Sequence, residues 1–167
     1  MKKLLFILSA GCFCFLIACS DKKESGGMSD KAKKNLASSH IVSDAFSSGD
    51  PSKIDDAVAA DFVDHTDRGD MGRDSLKAMI SLMKKDTTNM KMTLIKEVAD
   101  DDYVFSEMEF TGTSDGSMGM PVGPYDFHAI QVVKFNKDSK ATEHWEYVRY
   151  SEMMKMMAPP PPAKDSM

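Results

Sequence analysis

The most chemically loaded word in the chain is Thr142-Glu143-His144-Trp145-Glu146-Tyr147, which sets the only Trp between two carboxylates and beside one of four His residues. In an extended strand successive side chains point to opposite faces. His144, Glu146 and Val148 therefore share one face, and Glu143, Trp145 and Tyr147 the other. A carboxylate facing an apolar cavity loses hydration, which raises its pKa toward the range useful for taking a proton from carbon. Tyr125 to Phe135 alternates in the same way, grouping Phe127, Ala129, Gln131, Val133 and Phe135 against His128, Ile130, Val132 and Lys134. Asp64, His65, His128, His144 and Glu146 are suitable ligand types for a metal, but no HExxH word or close His pair is present, so no metal is expected. No glycine pattern for a nucleotide, no nucleophilic Ser or Cys word and no basic patch appears, so no cofactor and no nucleic-acid partner is expected.

These residues need elements to position them. Lys31 to Ser48 carries a loose helical stripe of Leu36, Ile41, Ala45 and Phe46 and stops at Gly49-Asp50-Pro51. Pro51 suits the first turn of a second helix over Ser52 to Ala59, and a brief β-like stretch follows around Phe62 and Val63. A clearer helix opens near Gly72 and Asp74, with Leu76, Met79, Ile80 and Met83 at helical spacing and Lys84-Lys85 in its last turn. From Asn89 the period changes to two. Strands are predicted from there to the acidic turn at Asp100-Asp101-Asp102, over Tyr103 to Thr113, over Tyr125 to Phe135, and over Ala141 to Tyr150. Thr113 to Gly123 is glycine-rich loop. Helices first and hairpins later indicate an α+β domain with antiparallel strands. Of 167 residues 15 are Met; clusters such as Met153 to Met157 suit soft Cu(I) in an exported protein, but more often serve as pliable core and pocket lining.

The ends bound the domain. Residues 1–18 pair Lys2 and Lys3 with an apolar run too short to cross a bilayer, the form of an export signal. Leu16-Ile17-Ala18-Cys19 resembles a bacterial lipobox, in which the Cys is joined to diacylglycerol and becomes the first mature residue. The alternative is an ordinary signal peptide with a chance Cys. Several acyl chains hold a protein on a membrane, where one alone is marginal. Cys12 and Cys14 leave with the leader, so no disulfide is expected. Removing Lys2 and Lys3 takes the formal charge from −5 to −7. Residues 19–30 have the composition of a flexible tether, residues 31–157 form one domain, and residues 158–167 read as a disordered Pro-rich tail.

Four stretches carry a family resemblance: FSSGDPSKIDDAVAADFVDH, GRDSLKAMI, MGMPVG ahead of YDFHAI, and KFNKDSKATEHWE. Together they resemble the SnoaL-like polyketide cyclase branch of the nuclear transport factor 2-like superfamily. The resemblance implies a cone, in which a strongly curved antiparallel sheet wraps around N-terminal helices and leaves an apolar pocket at one end. It also implies that the acid closing the Glu-His-Trp-Asp word is an acid/base toward a carbon next to a carbonyl, and here that acid is Glu146. The family's inward polar position on the neighbouring strand falls on Gln131, which hydrogen-bonds but does not exchange protons. His144, His65, Asp64 and Phe127 complete the implied pocket. His40 and His128 fall on faces with no reason to be pocket.

Two functions follow as expectations. In the first, a lipid-anchored envelope protein binds a small apolar or carbonyl-bearing molecule, and any catalysis is cofactor-free proton transfer of cyclase or isomerase type. In the second, the domain is a non-catalytic envelope binding or assembly module with a vestigial pocket. Outward Trp145 and Tyr147 suggest a homodimer through the outer sheet face, unless a C-terminal segment covers them. The expected location is the outer membrane or the periplasmic face of a bacterial membrane.

Overall fold

A computed structural model describes residues 27–116 and 120–157. The leader, Cys19, most of the tether and the tail at 158–167 lie outside the described residues. The first helix, α1 (Asp30–Ser48), begins where the Ser29 hydroxyl accepts the Ala32 N–H at 3.0 Å. It ends at Gly49, whose φ of 73° lets its own N–H reach the Ala45 carbonyl at 2.8 Å.

The second helix is shorter than the sequence predicts: α2 covers only Ile54–Ala57, and the chain leaves it at Val58 into β1 (Val58–Thr66). The physical reason is tertiary. Val58 is β-branched and fully buried, and it pairs with Ala141 in the sheet. A short strand, β2 (Gly69–Gly72), then folds back on β1 before α3 (Arg73–Asp86). Four strands of the predicted kind follow or flank turns: β3 (Thr87–Ala99), β4 (Tyr103–Ser114), β5 (Gly123–Phe135) and β6 (Ala141–Val148). The chain closes with α4 (Tyr150–Met157), where β6 was predicted to run on to Tyr150.

The fold is α+β, an open curved sheet in the order β2-β1-β6-β5-β4-β3 with the helices against it. The antiparallel expectation needs one correction, because β1 and β6 run parallel. The chain leaves β1 and returns only after β2, α3 and the strands β3, β4 and β5, and β6 arrives in the same direction. Beneath α1, α2 and α3 lies the main core of Ile54, Val58, Phe62, Leu76, Ile80, Val104 and Phe135. Ile54, Val58, Ile80 and Val104 are 0% exposed, and burial of each such side chain contributes about 1.5–3 kcal/mol. Asn35, also 0% exposed, ties α1 to the β3–β4 turn by donating its Nδ2 hydrogens to the carbonyls of Asp100 and Asp101, both at 3.1 Å.

In the β5–β6 turn the Asn136 side-chain carbonyl accepts the N–H groups of Asp138 at 2.9 Å and Lys140 at 3.0 Å. That turn holds Ser139 at φ 57°, in the left-handed region that a side chain resists. Ser139→Gly removes about 1–2 kcal/mol of backbone strain and loses about 0.5–1 kcal/mol to the freer unfolded chain. The variant is expected to gain roughly 0.5–1 kcal/mol in urea denaturation, whereas a loss would show that the buried Ser139 side chain outweighs the strain.

Candidate functional site: a polar rung across the inner sheet face

Register builds the site. Because Val104, Val133 and Phe135 face the helices, two-residue steps bring Ser106, Met108 and Phe110 of β4, and Phe127, Ala129 and Gln131 of β5, to the same inner face. On β6, His144 pairs with Val133, Glu146 with Gln131 and Val148 with Ala129. On β3, Glu97 pairs with Ser106. One rung therefore runs Glu146, Gln131, Ser106, Glu97 across four strands.

This rung is polar throughout, and its neighbours are apolar except for His144 at the β6 end of one of them. Val133, Val104 and Ala99 lie on one side, and Val148, Ala129, Met108 and Leu94 on the other. At one end Gln131 Nε2 donates to Glu146 Oε2 at 3.1 Å. At the other, His40 from α1 sets Nε2 against Glu97, 2.8 Å from Oε1 and 3.1 Å from Oε2. Ser106, between them, is buried.

A groove of about 270 Å³ opens between α1 and β3–β4 at the Glu97 end. Ser39, His40, Ser43, Asp44 and Ser47 form its helix wall, and Met92, Leu94, Glu97, Ser106 and Met108 its sheet wall. The spacing explains the helix wall: residues four apart stack on one helix face, so Ser39, Ser43 and Ser47 make a hydroxyl stripe with His40 and Asp44 beside it.

Asp64 meets His144 across the parallel β1–β6 pair, with Nδ1 and Oδ1 2.8 Å apart. The contact fixes the orientation of the His144 ring against the buried Asp64 side chain. Asp64 is 5% exposed. Phe127 sits further along the inner face, stacked on Phe110 with centroids 5.1 Å apart.

The structure thus brings Asp64, His144, Gln131, Glu146 and Phe127 to one face, but it corrects the pocket role expected of His65. Alternation along β1 sends Asp64 inward and His65 outward, where it stacks on Trp145 at 4.9 Å. There its Nδ1 lies 2.9 Å from Asp70 and its Nε2 3.3 Å from Glu143. The Asp70 hydrogen bond, with Glu143 adding to it, raises the His65 pKa above the usual imidazole value. Glu143 is held below the usual carboxylate range first by Lys134, 2.6 Å away, and then by His65.

His40 also departs from its sequence reading, since it lines the groove. Its signal was present in the sequence as the polar stripe at four-residue spacing on α1, but its partner Glu97 lies on β3. His128 stays on the outer face near Glu107 and Glu109. Among the described residues, Glu109, Asp126 and His128 are the group whose ligand atoms lie near enough, within 4.8 Å of one another, to hold a cation, and they are on that outer face.

A second rung, offset by one residue, runs along the outside: Val98, Phe105, Val132 and Trp145. With Ile130 and Tyr147 beside it, this face leaves Val98, Phe105, Ile130 and Tyr147 exposed.

Comparison with known proteins agrees with this architecture. A SnoaL-like protein from Jannaschia sp. CCS1 superposes with a TM-score of 0.67 at 14% identity, covering 81% of this chain and 99% of that one. TsrD from Streptomyces laurentii gives 0.61 at 18% identity, covering 73% and 96%. An LEH-like epoxide hydrolase of M. tuberculosis gives 0.62 at 14% identity, covering 76% and 92%. At these identities the likeness is one of fold. No curated protein matches this chain in sequence. The profile of the SnoaL-like polyketide cyclases, however, matches residues 39–156, from the serine stripe of α1 to the end of α4, and the chain belongs to that family.

Proposed function

We propose that this chain is a lipid-anchored protein of the bacterial cell envelope whose inner sheet face, with the groove at its Glu97 end, binds a small apolar or carbonyl-bearing molecule, and that Glu146, at the other end of the polar rung, moves a proton at a carbon beside the carbonyl. The observation that carries the reading is the Gln131 to Glu146 hydrogen bond at 3.1 Å, made on a polar rung flanked by Val133 and His144 on one side and by Ala129 and Val148 on the other. Gln131 Nε2 has a second hydrogen, which a ligand carbonyl oxygen can accept. The C–H bond breaks toward the Glu146 carboxylate, and its electron pair moves onto the carbonyl oxygen as an enolate. A donor fixed at that oxygen stabilises the charge as it develops. Return of the proton to a different atom is isomerisation, and attack of the enolate on a second carbonyl is cyclisation. Neither needs a cofactor.

A non-catalytic binding or assembly module is the second reading, and the position of Glu146 favours it. Its side chain is exposed, without the water exclusion that strengthens electrostatic catalysis in closed sites. Hydrogen–deuterium exchange at the α-carbons of 2-tetralone in D₂O, followed by NMR, separates the two. Catalysis predicts exchange faster than in buffer, with Glu146→Gln reducing the acceleration about 100-fold or more. Exchange no faster than buffer would remove the proton-transfer reading and leave the module.

The anchor rests on the lipobox-like Leu16-Ile17-Ala18-Cys19 behind a basic, apolar leader. Among the described residues no helix is long and apolar enough to cross a membrane. Cells fed a clickable fatty acid should label the wild-type chain and not Cys19→Ala; equal labelling of both would remove the anchor.

For the homodimer, the support is the outer apolar rung, with Phe105 42% and Tyr147 59% exposed beside Trp145. Phe105→Glu with Tyr147→Glu is expected to shift sedimentation from dimer to monomer, and an unchanged profile would sink the interface.

A further inference from the structure

We propose that the ligand of the α1/β3–β4 groove carries a positive charge, as a protonated amine or quaternary ammonium on an apolar body. The inference rests on the groove being the ligand site, as proposed above, and specifies what it admits.

The support is an imbalance in how the chain neutralises its acids. On its other surfaces several carboxylates meet strong cations: Asp55 has Arg73 at 3.2 Å and Lys77 at 2.9 Å, and Glu143 has Lys134 at 2.6 Å, although Glu107 and Glu109 have His128 at 3.7 and 3.9 Å. On the inner face no carboxylate meets a Lys or Arg, among the described residues. Glu97 is met only by His40, Glu146 only by Gln131, and Asp44 makes no ion pair, among the described residues. Register keeps lysine away from them. Lys91 lies opposite Thr111, Lys96 opposite Glu107, and Lys134 opposite Glu143, all on the outer side.

The groove lining contains no Lys and no Arg. An anion entering it would face the Asp44 and Glu97 carboxylates with no Lys or Arg in the lining to offset them, and like charges brought together at a binding surface oppose association. A cation meets complementary charge at close range, and the net charge of −5 on the whole chain adds to its attraction from a distance.

The hydroxyl stripe points the same way. Ser43 gives its own hydrogen to the Ser39 carbonyl at 3.3 Å, so its oxygen is left to accept. Acceptors suit an ammonium or its N–H groups. On the opposite wall Met92, Leu94 and Met108 supply thioether and methyl groups that pack against N-alkyl carbon. The volume of about 270 Å³ lies just below the roughly 300 Å³ at which small-molecule pockets begin, enough for a head group and the start of an apolar body.

The test titrates the full chain in detergent micelles, against micelles alone, with three probes of matched shape: benzyltrimethylammonium, benzyl alcohol and benzoate. By calorimetry the cation is expected to bind about tenfold tighter than the alcohol, with benzoate weakest. Asp44→Asn with Glu97→Gln should bring cation and alcohol within about twofold of each other. Should the double variant misfold, Asp44→Asn alone, at an exposed position, is expected to lose part of the preference. Alcohol or benzoate binding as tightly as the cation, or a preference unchanged in the variants, would overturn the charge assignment while leaving the groove a ligand site. No binding of any probe would instead remove the groove reading itself, and this inference with it.

Discussion

The pairing of Gln131 with Glu146 across β5 and β6 is the constraint on which the rest of the site depends. A strand has two faces, and a slip of one residue exchanges every side chain between them. With Gln131 opposite Glu146, the same strands present Ala129 and Phe135 to the core and Ile130 and Val132 to the outside. The register extends without a break through β4, where Ser106 and Val104 take the inner side. Burial holds it there. A slip would carry Val104, which is 0% exposed, into water and bring Glu107 against the helices.

The second constraint is the seating of α1. Asn35 grips the carbonyls of the β3–β4 turn, and Ser29 hydrogen-bonds Asp101 nearby, so the helix cannot rotate freely over the sheet. Its apolar residues Leu36, Ile41, Val42 and Phe46 meet the core, and its serine stripe overhangs β3 and β4. His40 reaches Glu97 from this seat. Charge is then divided by face. Outside, Lys134, Glu143, His65 and Asp70 form one connected chain of ion pairs and hydrogen bonds. Inside, the carboxylates of Glu97 and Glu146 are answered by an imidazole and an amide.

Much of this was legible in the sequence for reasons that are local. The alternation in β5 and β6 is that of half-buried strands, which is why the faces of His144, Glu146 and Gln131 follow from period two alone. Helix α3 carries Leu76 and Ile80 at helical spacing with lysines in its last turn. The features that escaped are set by distant partners or by segments too short for a period. Four-residue β2 is defined only by its pairing to β1, and Val58 is a strand residue because Ala141 lies beside it. His40 gained its place from Glu97, 57 positions away, and Asp64 is locked to His144, 80 positions away. His65 was misassigned because its neighbour Asp64 faces inward, and adjacent strand residues cannot both do so.

The central claim is that the inner face, with its polar rung and adjoining groove, is a ligand site and not merely a folded surface. Native mass spectrometry of the full chain, purified from its host cells in mild detergent, tests it most directly. The account predicts a retained small molecule that adds a discrete mass to the wild-type chain and is lost when Ser43→Trp fills the groove. A wild-type chain found only at its ligand-free mass, with no more added mass than Ser43→Trp carries, would contradict it.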